Sequence, residues 1–238
     1  MTNEQLLSDT PQSVVAIYAH PDDAEVSCGG ALARWAAAGS EVHLVIGALG
    51  DKGSNEPMVD VAALVAQRAS EVTESAGILG LTSVVNLGIP DGEIENSLEL
   101  RRQLVAILRR RRPQFVLCPD PTAVFFGDAY VNHHDHRMIG WAALDAAAPA
   151  AGSRLYFPDD GKAHQVGTIL MSGTHHPDVW VDIESSLDRK VDALRSHRTQ
   201  LGENTQWARE FLRVRASEAG QNVGLRLAEG FRRVRLVR

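Results

Sequence analysis

The chain has 238 residues, of which 44% are hydrophobic, and this is enough to bury the core of one sizeable globular domain. Its formal net charge of −6 argues against a general binder of nucleic acid or of membrane surfaces. The chain holds only two cysteines, which excludes a disulfide framework and favours a reducing compartment, so we expect the protein in the cytoplasm.

Strands and helices alternate through the first half of the chain. Continuous apolar runs predict buried strands at 13–19, 41–49, 83–89 and 114–119. The segments between them carry apolar residues at helical spacing and predict three helices, which end at Gly39, at Gly80 and before Pro113. This alternation predicts an α/β fold in which helices cover a mostly parallel sheet.

The second half of the chain continues with both kinds of element. It predicts a helix at 137–152, strands at 153–158, 166–173 and 178–184, and two closing helices at 185–201 and 205–220. Two basic stretches, RRQLVAILRRRRP (101–113) and FRRVRLVR (231–238), are interpreted as a solvated helix face and an end segment. Since no repeat or long linker divides the chain, we expect residues 1–238 to form a single domain, with 1–12 loosely ordered.

Polar segments rich in turn residues follow the carboxyl ends of the first four predicted strands. They are HPDD, ALGDKGS, IPDGE and CPDPTAVFFGDAYVNHHDH. Open parallel sheets bind their ligands at that edge, so these four segments are expected to form one site.

The HPDD segment combines ligand types that suit a divalent metal. His20 and Asp23 lie three residues apart in a turn, and imidazole nitrogen and carboxylate oxygen both bind Zn²⁺. Asp22 lies between them and would point elsewhere, as a general base that accepts a proton from water must. The alternative is that both aspartates only cap the helix that follows.

The HHDH segment at 133–136 adds three imidazoles and a carboxylate to the same edge of the sheet. Catalytic zinc usually has three protein ligands and a water, so one of these histidines would complete the set. A second histidine could stabilise an oxyanion or donate a proton to a leaving nitrogen, with the aspartate orienting its ring. Spacing alone does not tell His133, His134 and His136 apart, and a surface histidine cluster is the alternative.

The two motifs together resemble the LmbE-like (PIG-L) family of zinc-dependent N-deacetylases. The resemblance rests on AHPDD followed by GG and on the downstream H-x-D-H, and it extends to GDKGS, RASE, IPDG, NHHDHR and KVDALRSHRTQ. It therefore spans nearly the whole chain. It implies a Rossmann-like, three-layer α/β fold and the hydrolysis of an N-acetyl group, often on an amino sugar of the N-acetylglucosamine type, with release of acetate and a free amine.

The resemblance also implies a role for particular residues. His20, Asp23 and His136 match the zinc ligands of the family, and Asp22 matches the general base. His133 matches the histidine that acts as acid or oxyanion partner.

Three further residues match family positions around the metal. Asp135 matches the carboxylate that tunes His133, while Arg68 and Asp91 match positions associated with substrate contacts. For Arg68, an ion pair with Glu71 on one helix face is the alternative. Some members of the family have a tyrosine at the position of Val131, and this chain has Tyr130 one step earlier.

Other functions are less consistent with the sequence. A nucleotide-dependent enzyme needs a G-x-G-x-x-G or G-x-x-x-x-G-K-[ST] loop after the first strand, where this chain has HPDDAEVSCGG. A non-catalytic homologue would usually have lost a ligand or the base, and here all are present. An amide of a thiol conjugate or an acetylated natural-product intermediate stays open as substrate.

The expected cofactor is Zn²⁺, although a site of two histidines and one aspartate also suits Fe²⁺, Co²⁺ and Mn²⁺. The expected partner is a small N-acetylated molecule, with no nucleic acid and no membrane, and a homo-oligomer stays open. The first residues lack both a basic segment and a long apolar stretch, and nowhere do about eighteen apolar residues run together, so we expect no signal peptide and no membrane span.

Overall fold

The computed structural model describes residues 5–54, 56–202 and 205–236. Its strands are β1 (Ser13–Tyr18), β2 (Glu41–Ala48), β3 (Ser83–Ile89), β4 (Phe115–Pro119), β5 (Phe125–Phe126), β6 (Tyr130–Val131), β7 (Thr168–Ser172), β8 (Val179–Asp182) and β9 (Ala228–Arg235). Its helices are α1 (Asp23–Ala37), α2 (Val61–Leu79), α3 (Leu98–Arg111), α4 (His134–Asp145), α5 (Leu187–Arg195), α6 (Arg198–Leu201) and α7 (Gln206–Gln221), and a π-helical turn (Ala146–Ala150) extends α4.

One seven-stranded sheet in the order β3-β2-β1-β4-β7-β9-β8 organises the chain. The pairs from β3 to β7 are all parallel, whereas β9 runs antiparallel to both β7 and β8. Strands β5 and β6 form a separate small hairpin. The predicted α/β class with a mostly parallel sheet is therefore confirmed.

Apolar side chains cover both faces of the sheet, as the continuous apolar runs predicted. Along β1, Val14, Ala16 and Tyr18 belong to one buried cluster, and Val15 and Ile17 belong to the other. This is the two-residue period of a strand whose side chains alternate between faces. Helices α1, α2, α5 and α7 pack on the first face, and α3 and α4 on the second, which makes the three layers.

The direction of the chain reverses between β1 and β4. From β1 the chain moves outwards through β2 to β3, then α3 crosses the other face and returns it to β4, on the far side of β1. Ligands of open α/β sheets bind in the crevice outside the carboxyl ends of the strands at such a reversal. The segments after β1 and β4, which carry HPDD and HHDH, meet there.

Residues at the helix ends explain where the longer helices begin and stop. The Asp60 carboxylate accepts a hydrogen bond from the Ala63 N–H at 3.1 Å, and the Ser97 hydroxyl accepts one from the Leu100 N–H at 3.1 Å. Both side chains satisfy amides that have no partner inside the first helical turn. Gly80 ends α2 with φ of 78°, a left-handed conformation that glycine adopts without steric cost.

The predicted strand at 153–158 is wrong, because Arg109 binds the carbonyl oxygens of this segment. The segment is an irregular loop. The buried Arg109 guanidinium donates to main-chain oxygens on both sides of the loop and within it, those of Ala150, Ala151, Ser153, Tyr156, Phe157 and Gly161. One arginine of the basic stretch at 101–113 is therefore structural and not part of a solvated face.

Two elements near the end of the chain also differ from the prediction. The single helix expected at 185–201 is broken after α5, and a short α6 follows. The basic stretch at 231–238 was expected to be an end segment, yet its described part belongs to β9, which lies between β7 and β8. Its arginines obscured a strand in which Phe231 is fully buried in the core.

The described part of the segment 1–12 contacts strand β8. Leu7 is buried, and its N–H donates to the Trp180 carbonyl oxygen at 2.8 Å. Residues 1–4 lie outside the described residues. Across the described ranges, no helix has the length and apolar character needed to cross a bilayer.

Candidate metal site and substrate cavity

The turn after β1 presents two ligand groups towards one point. His20 follows the buried strand directly, and the Asp23 carboxylate accepts a hydrogen bond from the His20 N–H at 2.8 Å, which closes the turn. Between them, Asp22 has φ of 87°, a left-handed conformation that costs free energy in residues other than glycine. This backbone turns the Asp22 side chain away from its neighbour's.

His20, Asp23 and His136 form a compact group of metal-ligating atoms. One nitrogen or oxygen of each lies within 4.8 Å of the others. His20 Nδ1 is 3.2 Å from His136 Nε2, and the two Asp23 oxygens lie 3.4 Å from His20 Nδ1 and 3.1 Å from His136 Nε2. Two ligands of a tetrahedral zinc at about 2.05 Å are about 3.3 Å apart, so the spacing fits such an ion.

In both histidine rings, the nitrogen that points away from the group lies close to an oxygen atom of another residue. These contacts hold the other two nitrogens, His20 Nδ1 and His136 Nε2, towards each other. His136 Nδ1 lies 3.0 Å from Asn132 Oδ1. His20 Nε2 lies 3.1 Å from Asp91 Oδ1 and 3.2 Å from Asp135 Oδ2. Partners of this kind orient histidine ligands in metal sites. Sequence reasoning missed Asn132, although it lies four residues before His136 in the quoted NHHDHR segment.

The electrostatics of the group favour a positive charge. Burial lowers the pKa of His20, but the hydrogen bond and charge of Asp23, with Asp91 and Asp135, outweigh it and raise this pKa to about 9. Burial likewise lowers the pKa of His136, and Asp23 raises it above its usual value. Burial raises the pKa of Asp23, yet the two histidines hold it well below its usual range. A divalent cation would take the place of these protons.

Asp22 has the opposite electrostatic environment. Burial and the negative charge of Asp23 raise the pKa of Asp22 to about 7, with His197 partly opposing them. A carboxyl group with this pKa can accept and return a proton near neutral pH. The structure thus brings Asp22 beside the three residues that could hold a metal, and Asp22 is not part of that group.

His133 lies next to the group, in a different arrangement from the predicted one. Its ring is 4.8 Å from that of His20, and its Nδ1 accepts a hydrogen bond from the Asp135 N–H at 3.2 Å. The Asp135 carboxylate instead accepts from the Gly92 N–H at 2.7 Å and contacts His20. Burial and the charge of His20 lower the pKa of His133, against the opposing effect of Asp135. These surroundings favour the neutral imidazole.

Arg68 and Asp91, the predicted substrate contacts, differ in position. Asp91 lies at the cluster, beside His20. Arg68 is buried, and its guanidinium donates to the Gly50 carbonyl oxygen and, at 2.9 Å, to that of Gly53. A Cβ on Gly50 would lie 2.5 Å from Arg68 Nη1, which explains the glycine there. These contacts favour an anchor for the GDKGS turn over either a substrate contact or the Glu71 pair.

A cavity of about 460 Å³ opens beside the ligand cluster. Asp22, Asp23 and His136 line one part of it, and Phe126 and Tyr130 of the β5–β6 hairpin line another. This volume suits a small molecule of the size of a sugar conjugate. Tyr130 therefore reaches the cavity from one residue before the family position.

The family model described as PIG-L, GlcNAc-PI de-N-acetylase, matches residues 15–147, which include both metal motifs. The chain belongs to the PIG-L family. Deacetylases of this family are metal-dependent, and the described residues contain the His/Asp group that can hold a metal ion. The resemblance seen in the sequence is thereby confirmed, while the identity of the metal is a separate matter.

Named PIG-L relatives include deacetylases of N-acetylated sugars. The diacetylchitobiose deacetylase of Thermococcus kodakarensis is 31% identical over an alignment of 227 residues, and the match covers 93% of this chain and 82% of that protein. The solved N,N'-diacetylchitobiose deacetylase from Pyrococcus horikoshii, in complex with its inhibitor MPG, is 31% identical with a TM-score of 0.85, covering 94% of this chain and 84% of its own.

A third similar structure carries a different kind of activity in its name. It is GalB, the 4-carboxy-2-hydroxymuconate hydratase from Pseudomonas putida KT2440. It is 25% identical to this chain with a TM-score of 0.78, and the match covers 95% of this chain and 98% of that one. Membership of the fold alone therefore does not decide between hydrolysis and hydration.

Proposed function

We propose that this chain is a metal-dependent N-deacetylase that hydrolyses the acetamide of an N-acetylglucosamine-type sugar or conjugate. The observation that carries the proposal is the convergence of His20, Asp23 and His136 next to the half-buried Asp22, at one end of a substrate-sized cavity. The similarity to named diacetylchitobiose deacetylases supports the substrate class. The proposal treats residues 1–238 as one deacetylase domain.

The proposed metal is Zn²⁺, held by His20, Asp23 and His136. When bound, it supplies a Lewis acid that polarises the acetamide carbonyl and lowers the pKa of water. Two imidazoles and one carboxylate, each with an outer hydrogen-bond partner, match the ligand sets of catalytic zinc. Fe²⁺ is the main competitor, because the same donor atoms suit it.

Asp22 is proposed as the residue that moves the proton. Its carboxylate accepts a proton from the attacking water, whose oxygen adds to the acetamide carbonyl carbon. With a pKa of about 7, the protonated Asp22 can then return this proton to the departing amine nitrogen. Both transfers use one carboxylate, so no second acid is needed.

His133 is proposed to stabilise the oxyanion as a neutral hydrogen-bond donor. Because Nδ1 accepts the Asp135 N–H, the proton of the neutral ring lies on Nε2. A neutral ring also agrees with the lowered pKa of His133. Asp91 and Asp135 are proposed to orient His20, and Arg68 to hold the 50–53 turn that borders them.

The test is the release of primary amine from N-acetylglucosamine, N,N'-diacetylchitobiose and aryl N-acetylglucosaminides. Chelator-treated protein, the same protein after addition of Zn²⁺ or Fe²⁺, and the Asp22→Asn variant are compared. Amine that forms only with metal and with intact Asp22 supports the proposal. A preparation that holds one metal per chain and releases no amine from any of these compounds contradicts it.

Hydration of a carbon–carbon double bond is the second candidate, because the similar Pseudomonas protein is named a hydratase. Hydration forms no amine and removes the absorbance of a conjugated diene acid. Incubation with 4-carboxy-2-hydroxymuconate and ultraviolet detection therefore separates the two candidates directly.

A further inference from the structure

The substrate cavity shares part of its lining, here called the neck, with a second cavity. A second cavity of about 210 Å³ lies beyond the first one of about 460 Å³. The residues that line both, and so form the neck, are Val26, Ser27, Phe126, Gly173 and Arg215. An acetamide held at the metal end would leave the rest of its molecule pointing into this space.

Arg215 is the cation of the neck, and no described carboxylate pairs with it. It lies on α7, where Arg209 and Arg213 both make ion pairs, with Asp188 at 2.7 Å and with Glu210 at 3.3 Å. Arg215 has a different neighbour, the ring of Phe211, with 5.4 Å between its guanidinium carbon and the ring centroid. Of these three arginines, Arg215 lines the cavities, and its guanidinium is the one left open to a ligand.

The acidic residues of the cavity do not offset this charge at the neck. Asp22 and Asp23 lie at the metal end, and Asp120 already accepts hydrogen bonds from the Thr122 N–H at 2.9 Å and its hydroxyl at 2.6 Å. In the second cavity, Glu229 is bound to Lys190 at 2.6 Å. The neck therefore presents one unpaired cation.

The walls beside Arg215 suit recognition of an anion. Val26 and Phe126 give the neck apolar walls on either side of this charge in the lining, although Arg215 itself is exposed. The hydroxyl of Ser27, which also lines the neck, offers a further hydrogen-bond donor. A guanidinium fork binds carboxylate or phosphate oxygens in pairs.

We propose that Arg215 selects substrates whose amine-bearing part carries an anionic group, a carboxylate or a phosphate, attached beyond the N-acetylated sugar. The inference rests on the proposed function, because the acetamide at the metal group sets the direction of the remainder. It narrows the substrate class from N-acetylglucosamine conjugates in general to acidic ones. Arg215 is a specificity residue and takes no part in the bond cleavage.

Three aryl N-acetylglucosaminides that differ only at the 4-position of the phenyl ring provide the test. The substituents are a neutral carbamoyl group, a carboxylate of the same shape and a phosphonate. The kcat/KM values are measured for the wild type, for Arg215→Gln and for Arg213→Gln, a matched control on the same helix. Calorimetry on the three deacetylated amines measures binding without turnover.

One charge-assisted contact predicts that the wild type prefers the carboxylate over the carbamoyl compound by about tenfold in kcat/KM. The ratio should approach one in Arg215→Gln, persist in Arg213→Gln and decrease with added salt. If the phosphonate is preferred over the carboxylate, the natural group is a phosphate. The reverse order identifies a carboxylate.

The outcomes separate this inference from the proposed function. Turnover with the same ratio in the wild type and Arg215→Gln overturns the role of Arg215 and leaves the deacetylase standing. Absence of turnover together with charge-dependent amine binding that needs Arg215 supports the anion site and contradicts the deacetylase. Absence of both turnover and charge-dependent binding overturns both.

Discussion

Asn132 and His136 face each other across the beginning of α4, with Asn132 Oδ1 3.0 Å from His136 Nδ1. Asn132 itself is held by its amide nitrogen, which donates to the Ala123 carbonyl oxygen at 2.8 Å. The second bond fixes which end of the amide faces the ring. Because the ring nitrogen bound to Asn132 must carry the proton, Nε2 is free to bind a metal.

Replacing Asn132 by alanine should therefore weaken metal binding without removing a ligand. Loss of such a partner typically costs about 10- to 100-fold in metal affinity, so we expect a decrease of this size for Asn132→Ala. Competition with a chromophoric chelator measures it. His134→Ala is the matched control, because His134 is exposed in the same segment, and an equal loss in both variants would contradict a specific role for Asn132.

Asp22→Asn should separate metal binding from turnover. Asparagine tolerates the left-handed backbone at this position and keeps the size of the side chain, but it cannot accept a proton. We expect kcat to decrease by about 10²- to 10⁴-fold with unchanged metal content, measured by elemental analysis. His136→Ala, in contrast, should lose the metal. Near-normal turnover of Asp22→Asn would exclude Asp22 as the base.

Arg68→Met should reveal whether Arg68 anchors the turn or contacts substrate. The variant leaves the carbonyl oxygens of Gly50 and Gly53 without their buried donors, and each unpaired buried group costs about 1–3 kcal/mol. We expect a free energy of unfolding lower by about 2–4 kcal/mol in chemical denaturation. Arg198→Met, at an exposed ion pair with Glu74, serves as control. An unchanged stability with a raised KM would favour the substrate contact.

Lys190→Met should be strongly destabilising, because it leaves Glu229 buried without its counter-charge. Breaking one side of a buried pair typically costs about 3–5 kcal/mol. The two Glu229 oxygens also accept from the Gly30 and Ala31 N–H groups, and the single oxygen of a glutamine can keep one of these bonds. The double variant Lys190→Met/Glu229→Gln should therefore recover part of the loss. Equal denaturation midpoints for the single and double variants would argue against an electrostatic origin.

His43 should make the fold less stable in mild acid. Burial and the charge of Arg111 lower the pKa of His43, with Glu41 partly opposing them. The stability that neutral His43 contributes is fully present above the pKa of about 6.5 that it has in the unfolded chain. It is lost as the pH falls through the lower pKa of the folded chain, because the unfolded chain then binds the proton more readily. From pH 8 to pH 5.5, Tm should decrease more in the wild type than in His43→Gln. Parallel decreases would exclude this contribution.

The sequence predicted the location of the candidate site because its histidines and aspartates follow the carboxyl ends of two strands of the parallel sheet. The apolar run of β1 ends directly at His20, and the reversal between β1 and β4 brings the HHDH segment to the same edge. Both facts follow from the alternation of strands and helices. Sequence alone could not tell which ring nitrogen faces the metal, because that depends on Asn132 and Asp91 side chains placed by other segments.

Long-range contacts explain the predictions that were wrong. Arg109 looked like one of several solvated arginines, yet it binds a loop more than forty residues later, whose own pattern resembled a strand. Arg215 was similarly inconspicuous, because nothing in the α7 sequence distinguishes it from Arg209 and Arg213. Arg215 differs from these two arginines because it lies on the face of the helix that meets the cavity.

The place of β9 has a consequence for how the protein is made. It enters the sheet between β7 and β8, and its Glu229 binds amides of α1 that were synthesised about two hundred residues earlier. Until β9 has left the ribosome, β8 lacks the strand that joins it to β7 in the sheet, and Lys190 lacks the Glu229 carboxylate. The nascent chain thus carries its metal motifs on an unfinished sheet, and ordering of the layer around α1 must wait until β9 has been translated.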